Sequence, residues 1–205
     1  MIVTLDQVML EQIEALYSDM EQSYDITASL LGHSCAGCPD NCCDSYFLHF
    51  TYIEWGYLWY GMSLLTQEKQ SELINRALIY EKQSEELLAR GERPRLMCPL
   101  NENGRCILYK YRLMVCRTHG VPAVMTRPDG KKITFPGCFR CQELVDQSEI
   151  DVNPVMMERT PLLSRLVGLE QDLLEGKRSL VPKVRMTIGG MLKAGPPTIP
   201  HCSDR

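Results

Sequence analysis

Four thiols fall within nine residues in the stretch Cys35-Ala36-Gly37-Cys38-Pro39-Asp40-Asn41-Cys42-Cys43. A hydrophobic core has no use for that density, because Cys adds little volume and brings reactivity. Two residues between cysteines, with Gly37 and Pro39 to bend the chain, aim two sulfurs at one point, as tetrahedral zinc and iron–sulfur sites require. Cys42 and Cys43 are adjacent, and adjacent side chains diverge. Their sulfurs are expected to do different jobs, either on two metals or as one ligand and one reserve. Five more cysteines follow, Cys98, Cys106, Cys116, Cys138 and Cys141, and the last two repeat the C-x-x-C spacing. Buried free thiols would fall on helix faces; these groups sit beside turn residues and point to metal–thiolate chemistry. Cys202 lies in a proline-rich tail that gives a ligand poor support.

The bulk properties narrow the setting. A net charge of −4 argues against general nucleic-acid binding, which depends on Lys and Arg neutralising phosphates. No apolar run reaches the length that spans a bilayer. The start, Met1-Ile2-Val3-Thr4-Leu5-Asp6, lacks the basic and apolar regions of a signal peptide. The expectation is a cytoplasmic protein with no membrane or nucleic-acid partner, a protein partner being left open. In a reducing compartment ten cysteines favour metal or redox chemistry over a disulfide framework. There is no glycine-rich phosphate loop, no nucleophile elbow and no H-E-x-x-H.

The elements that must position the thiols can be read from periodicity. Residues 4–31 predict an amphipathic helix with a capping box at Thr4 and Gln7, an apolar face from Leu5 and Val8 to Leu31, and Gly32 as its end. It delivers the chain to Cys35. Tyr46 to Phe50 reads as extended. Thr51 and Glu54 form a second capping box for a short aromatic helix carrying Tyr52, Trp55, Tyr57, Trp59 and Tyr60, expected to pack its rings on the core. A third helix spans 67–90, with Leu73, Ala77, Tyr80, Leu87 and Leu88 on one face and a Glu72–Arg76 pair. Asn103-Gly104 and Pro128-Asp129-Gly130 mark tight turns, the second in a β-hairpin. Asn153-Pro154 and Thr160-Pro161 each read as a helix start.

The stretch Cys98-Pro99 through Gly104-Arg105-Cys106-Ile107-Leu108-Tyr109-Lys110-Tyr111-Arg112 to Cys116-Arg117-Thr118-His119-Gly120 carries a more specific signal. It resembles the signature of a bacterial cysteine-cluster family, named for a C-x-x-C-x-x-C-C motif and described as zinc- or iron-chelating, which includes the flagellin lysine N-methylases. The resemblance covers about 35–141 in order. The chain departs from it twice: its first motif is C-x-x-C-x-x-x-C-C, one residue longer, and Leu113 follows Arg112 where the family usually has Pro. The resemblance implies metal binding, with Cys42, Cys43, Cys98, Cys106 and Cys116 matching the motif in type and spacing.

Thiolate ligation suits zinc and iron–sulfur clusters and not magnesium or calcium. Ligand type leaves those two open; the resemblance favours iron, as a 4Fe-4S cluster. Arg117 and Arg112 could offset thiolate charge. His119 is a candidate fourth ligand, ahead of His33 and His49. The fold is expected to be mainly α with a small cysteine-rich β-hairpin region, the helices enclosing a metal–thiolate centre. A single domain over 1–205 is expected, with the motif region at 35–141, a helical part at 153–178 and an irregular tail at 195–205. The leading function is an intracellular metal-binding protein holding an iron–sulfur cluster or zinc on Cys35, Cys38, Cys42, Cys43, Cys98, Cys106, Cys116, Cys138 and Cys141, with a possible redox role. The alternatives are a protein-lysine methyltransferase, as the resemblance implies, and a metal carrier or chelating module.

Overall fold

The computed structural model describes residues 2–36, 38, 42–148 and 151–199. Gly37, Pro39 and Cys202 lie outside the described residues. The described chain is mainly helical with small sheets. Its order is α1 (Gln7–Leu30), α2 (Tyr52–Ser63), α3 (Gln67–Ala89), β1 (Asn101–Glu102), β2 (Arg105–Cys106), α4 (Met114–Thr118), β3 (Ala123–Thr126), β4 (Lys132–Phe135), α5 (Phe139–Ser148), β5 (Met157–Glu158), α6 (Thr160–Leu173) and α7 (Ile188–Ala194). Among the described residues no helix is long and apolar enough to cross a membrane. Contacts gather the chain into two compact units interleaved in sequence. The first takes Met1–Leu10, Asn41–Leu113 and Glu170–Arg205; the second takes Glu11–Asp40 and Met114–Leu169.

Helix α1 starts later than the capping box at Thr4 predicts. Asp6 is the cap: its Oδ1 accepts the amide of Met9 at 2.8 Å, satisfying an otherwise orphaned donor. The buried stripe runs through Leu10, Ile13, Leu16, Tyr17, Met20 and Ala28, while Val8 is exposed. Gly32 closes the helix at φ 64°. Its amide donates to Ser29 and the amide of His33 donates to Ala28, at 3.1 and 2.8 Å. This paired ending needs a left-handed residue, which Gly adopts without a Cβ clash.

In the first unit, Thr51 caps α2 as its spacing predicts, accepting the Glu54 amide at 3.3 Å and donating to the Glu54 carboxylate at 2.7 Å. A second carboxylate joins it from far along the chain. Glu170 accepts the amides of Tyr52 and Ile53 at 3.1 and 2.9 Å, where the helix dipole favours negative charge. The indoles of α2 are tied to the C-terminal part of the unit: Trp55 Nε1 donates to Gly195 at 2.9 Å and Trp59 Nε1 to Met191 at 3.0 Å. Tyr46 to Phe50 does not form a ladder strand; isolated bridges hold this region, Ser45 with Arg95 and His49 with Met186. Helix α3 has its predicted span and buries Leu73, Ala77 and Tyr80, but Leu88 is exposed. It packs against α7. There a Cβ on Gly189 would come within 2.6 Å of the Tyr80 ring, so only Gly allows the approach. The tail is irregular but tied down through Ile199: the Val3 amide donates to Pro197 at 2.8 Å and Ile2 bridges Thr198.

In the second unit the predicted hairpin forms, with Ala123 opposite Phe135 and Thr126 opposite Lys132. Strand β5 adds to it in parallel, pairing Ala123 with Met157. Thr160-Pro161 opens α6, but Asn153-Pro154 opens no helix. Asn153 instead directs its amide and side chain onto Asp151 Oδ1, at 3.0 and 2.7 Å. That local turn competes with helix capping.

Candidate metal centre

The structure regroups the cysteines. The two runs that are dense in sequence are split between the units, and each unit draws from both. Cys42, Cys43, Cys98 and Cys106 fall in the first; Cys35, Cys38, Cys116, Cys138 and Cys141 fall in the second.

In the first unit, Cys42 and Cys43 begin a 3-10 turn, Cys42–Asp44, with the Ser45 amide donating to Cys42 at 3.2 Å. The amide of Cys98 donates to the carbonyl of Cys43 at 2.9 Å. Cys98 leads into a two-strand hairpin: its carbonyl accepts the Asn101 amide at 2.9 Å, and Asn101 faces Cys106 across β1–β2. The turn between the strands is Asn103-Gly104, at φ 51° and 84°, the left-handed pair that a two-residue hairpin favours. Cys98 and Cys106 are half-buried against the apolar core formed by Trp55, Leu58, Leu73 and Leu100 among others. Burial first, then the neighbouring Cys98, pushes the Tyr80 phenol up to about 12.

In the second unit, the ending of α1 sets His33 beside the cysteines. Its Nε2 lies 4.0 Å from Cys35 Sγ and 4.0 Å from Cys138 Sγ. The Tyr24 hydroxyl is 3.5 Å from Cys35 Sγ. Burial holds the His33 imidazole below its ordinary range. Cys138 and Cys141 flank the first turn of α5, and both are buried in a cluster with Leu31. The knuckle read at 138–141 is therefore a helix start, with the two sulfur-bearing residues three apart on one turn. Burial, then Cys138 and Cys35, pushes the Cys141 thiol up to about 11. Close backbone approach makes room for this arrangement. The Cys138 amide donates to Gly120 at 3.1 Å, and a Cβ on Gly120 would come within 2.4 Å of the Tyr24 hydroxyl. A Cβ on Gly137 would come within 2.7 Å of the Gly120 carbonyl. Cys38 is half-buried, its amide 3.2 Å from the Cys35 carbonyl, and Cys116 is half-buried in α4.

The cations near the motif have other contacts. Arg117 is buried, pairs with Glu21 and lies over the Tyr17 ring at 4.2 Å. Arg112 lies over the exposed Tyr109 ring at 3.5 Å. Arg159, which nothing in the sequence singles out, is buried, donates to the Thr118 carbonyl and lies over Phe135 at 4.6 Å. Burial pushes its guanidinium down to about 10. His119 is held low by burial and then by Arg159. His33 and Tyr24 are the residues that spacing undervalued; the H-x-C at 33–35 is the signal that bears on the first.

Among the described residues no three metal-binding side chains already converge on one ion. An imidazole nitrogen and a thiolate on one tetrahedral zinc stand about 3.6 Å apart, from bond lengths near 2.0 and 2.3 Å. The His33 pairs at 4.0 Å need to close by only a few tenths of an ångström, so this nitrogen and these two sulfurs are spaced as ligands of one ion would be. Comparison of the chain with known protein families, curated proteins and solved structures finds no match.

Proposed function

We propose that this is a metal-binding protein of a reducing compartment, holding an iron–sulfur cluster, or zinc, on its clustered cysteines. The observation that carries the reading is the approach of Cys35 and Cys138, remote in sequence, whose sulfurs each lie 4.0 Å from His33 Nε2; in the other unit the backbone of Cys98 bonds to that of Cys43. The resemblance to the cysteine-cluster family points in the same direction and favours iron. A cluster held here would supply one-electron chemistry, and zinc a structural tie.

A second reading, a metal carrier that passes its ion to a partner, draws on the exposure of Cys35 and Cys42. Exchange by ligand replacement requires thiolates that a partner can reach.

The test is anaerobic purification of the full chain, followed by metal analysis and a visible absorption spectrum. Bound iron with thiolate charge-transfer bands, or stoichiometric zinc, is the expected result. A metal-free protein that still unfolds cooperatively overturns the proposal. Rapid transfer to a chelating acceptor would select the carrier reading over a closed site.

A further inference from the structure

We propose that His33 completes a Cys3His zinc site in the second unit, with Cys35, Cys138 and Cys141 as the thiolates. The inference rests on the metal–thiolate reading and goes beyond it by assigning a nitrogen ligand and a metal.

The geometry starts with the chain. Gly32, at φ 64°, turns the chain out of α1, and the His33 amide is then fixed on Ala28 at 2.8 Å. That bond leaves the imidazole between two sulfurs, at 4.0 Å from each. Cys138 and Cys141 are held by the first turn of α5, where positions three apart share a face. The two are packed in one buried cluster with Leu31, which supplies the dry wall of the site. Cys35 is exposed and closes it from the solvent side. The Tyr24 hydroxyl, 3.5 Å from Cys35 Sγ, is placed to donate to that sulfur once it is a thiolate.

The donor set selects the metal. Three thiolates and one imidazole are a standard closed set for structural zinc, whereas most iron–sulfur clusters take four thiolates. The two units would then carry unlike donors: nitrogen with sulfur in the second, sulfur alone from Cys42, Cys43, Cys98 and Cys106 in the first. Cys38, whose amide lies 3.2 Å from the Cys35 carbonyl, is the competing fourth ligand.

The experiment uses the full chain stripped of metal and titrated with Co2+ and then Zn2+, comparing wild type, His33→Gln, His33→Cys and Cys38→Ser. The expected result is that His33→Gln weakens Zn2+ binding at one site by at least about 10–100-fold, the loss seen even for groups one step removed from a zinc. His33→Cys should restore the affinity, with stronger and red-shifted thiolate-to-cobalt charge transfer from the added sulfur. Cys38→Ser should leave both unchanged. Wild-type affinity and spectrum in His33→Gln would overturn the His33 assignment while leaving the metal–thiolate reading in place. Release of the ion by Cys38→Ser instead would name Cys38 as the fourth ligand. If the wild-type chain bound neither ion, the failure would lie with the metal-binding reading itself.

Discussion

The Cys98 amide donates to the Cys43 carbonyl at 2.9 Å, so the adjacent cysteine pair and the start of the C-P-L stretch are joined through the backbone. A side-chain substitution does not remove such a bond. Each sulfur of this group can therefore be replaced without deleting that bond itself. Replacing a ligand by Ser puts a harder and poorly ionised oxygen where a thiolate is needed. Ser variants of Cys43, Cys98 and Cys106 are expected to lose metal from one set, and those of Cys35, Cys138 and Cys141 from another. Cys202→Ser should change metal content not at all and stability by no more than about 0.5 kcal/mol. Metal per chain and the thermal midpoint of each variant check this. Loss of metal in Cys202→Ser, with Cys43→Ser and Cys98→Ser still loaded, would refute the assignment.

Metal removal should be felt unevenly. Thiolate–zinc binding contributes on the order of 10 kcal/mol in small modules, as much as the whole stability of an ordinary domain. The segment 97–141 has few long elements of its own, with α4 five residues long and β1 and β2 two residues each. Helix α3, at 23 residues, has its own cap at Thr66 and a buried face. Chelation is expected to speed amide exchange across 97–141 while α1 and α3 keep part of their protection. Unchanged or slower exchange across 97–141 after chelation would contradict it.

What could be read from the sequence and what could not divide by the range of the interaction. Thr51 with Glu54, Asn103-Gly104 and the hairpin around Asp129-Gly130 formed as their local chemistry dictates, because each involves residues within a few positions. Strand β5 was not legible: two residues carry no period, and Met157 is placed by pairing with Ala123. Helix α5 was hidden because the C-x-x-C at its start reads equally as a knuckle. The candidate cysteines were legible by type, but their partners were not. The bond from Cys98 to Cys43 and the approach of His33 to Cys138 are tertiary facts that no spacing within either run encodes.

Two glycines of α2 give a test in which opposite effects can be weighed. Gly to Ala inside a helix is ordinarily stabilising by about 0.5–1 kcal/mol. At Gly56 a Cβ would meet the Leu5 side chain at 3.4 Å, an ordinary contact, so Gly56→Ala should be neutral or gain that amount. At Gly61 a Cβ would come within 2.4 Å of Tyr111 Cγ and 2.8 Å of its Cβ. Rotating the ring does not relieve a clash with its own root. The ring is also packed on Tyr57 and Tyr60, with centroids 5.1 and 5.9 Å away. Overpacking costs about 1–3 kcal/mol and outweighs the helix gain. Gly61→Ala is expected to lower the thermal midpoint while Gly56→Ala does not, as measured by calorimetry on the metal-loaded protein. Equal midpoints for the two variants would contradict the packing seen at Tyr111.

His49 makes the stability of the first unit depend on pH. Its side chain is buried, its Nδ1 has no hydrogen-bond partner among the described residues, and its backbone is pinned by the pair of bonds to Met186. Burial pushes the imidazole down from 6.5 to about 4. The unfolded chain therefore takes up a proton near its ordinary value, and the folded chain refuses it until about 4. The sign follows: His49 contributes its full stabilisation above about pH 6.5, and this is lost as pH falls from there toward 4. A gap of that size corresponds to about 3 kcal/mol. Carboxylates elsewhere also titrate in acid, so the comparison is with His49→Leu, which keeps an apolar group in the site and cannot take up the proton. Denaturant unfolding at pH 7 and at pH 4 is expected to show the wild type losing about 3 kcal/mol more than His49→Leu over that interval. Parallel losses in the two proteins would mean that the imidazole is solvated in the fold.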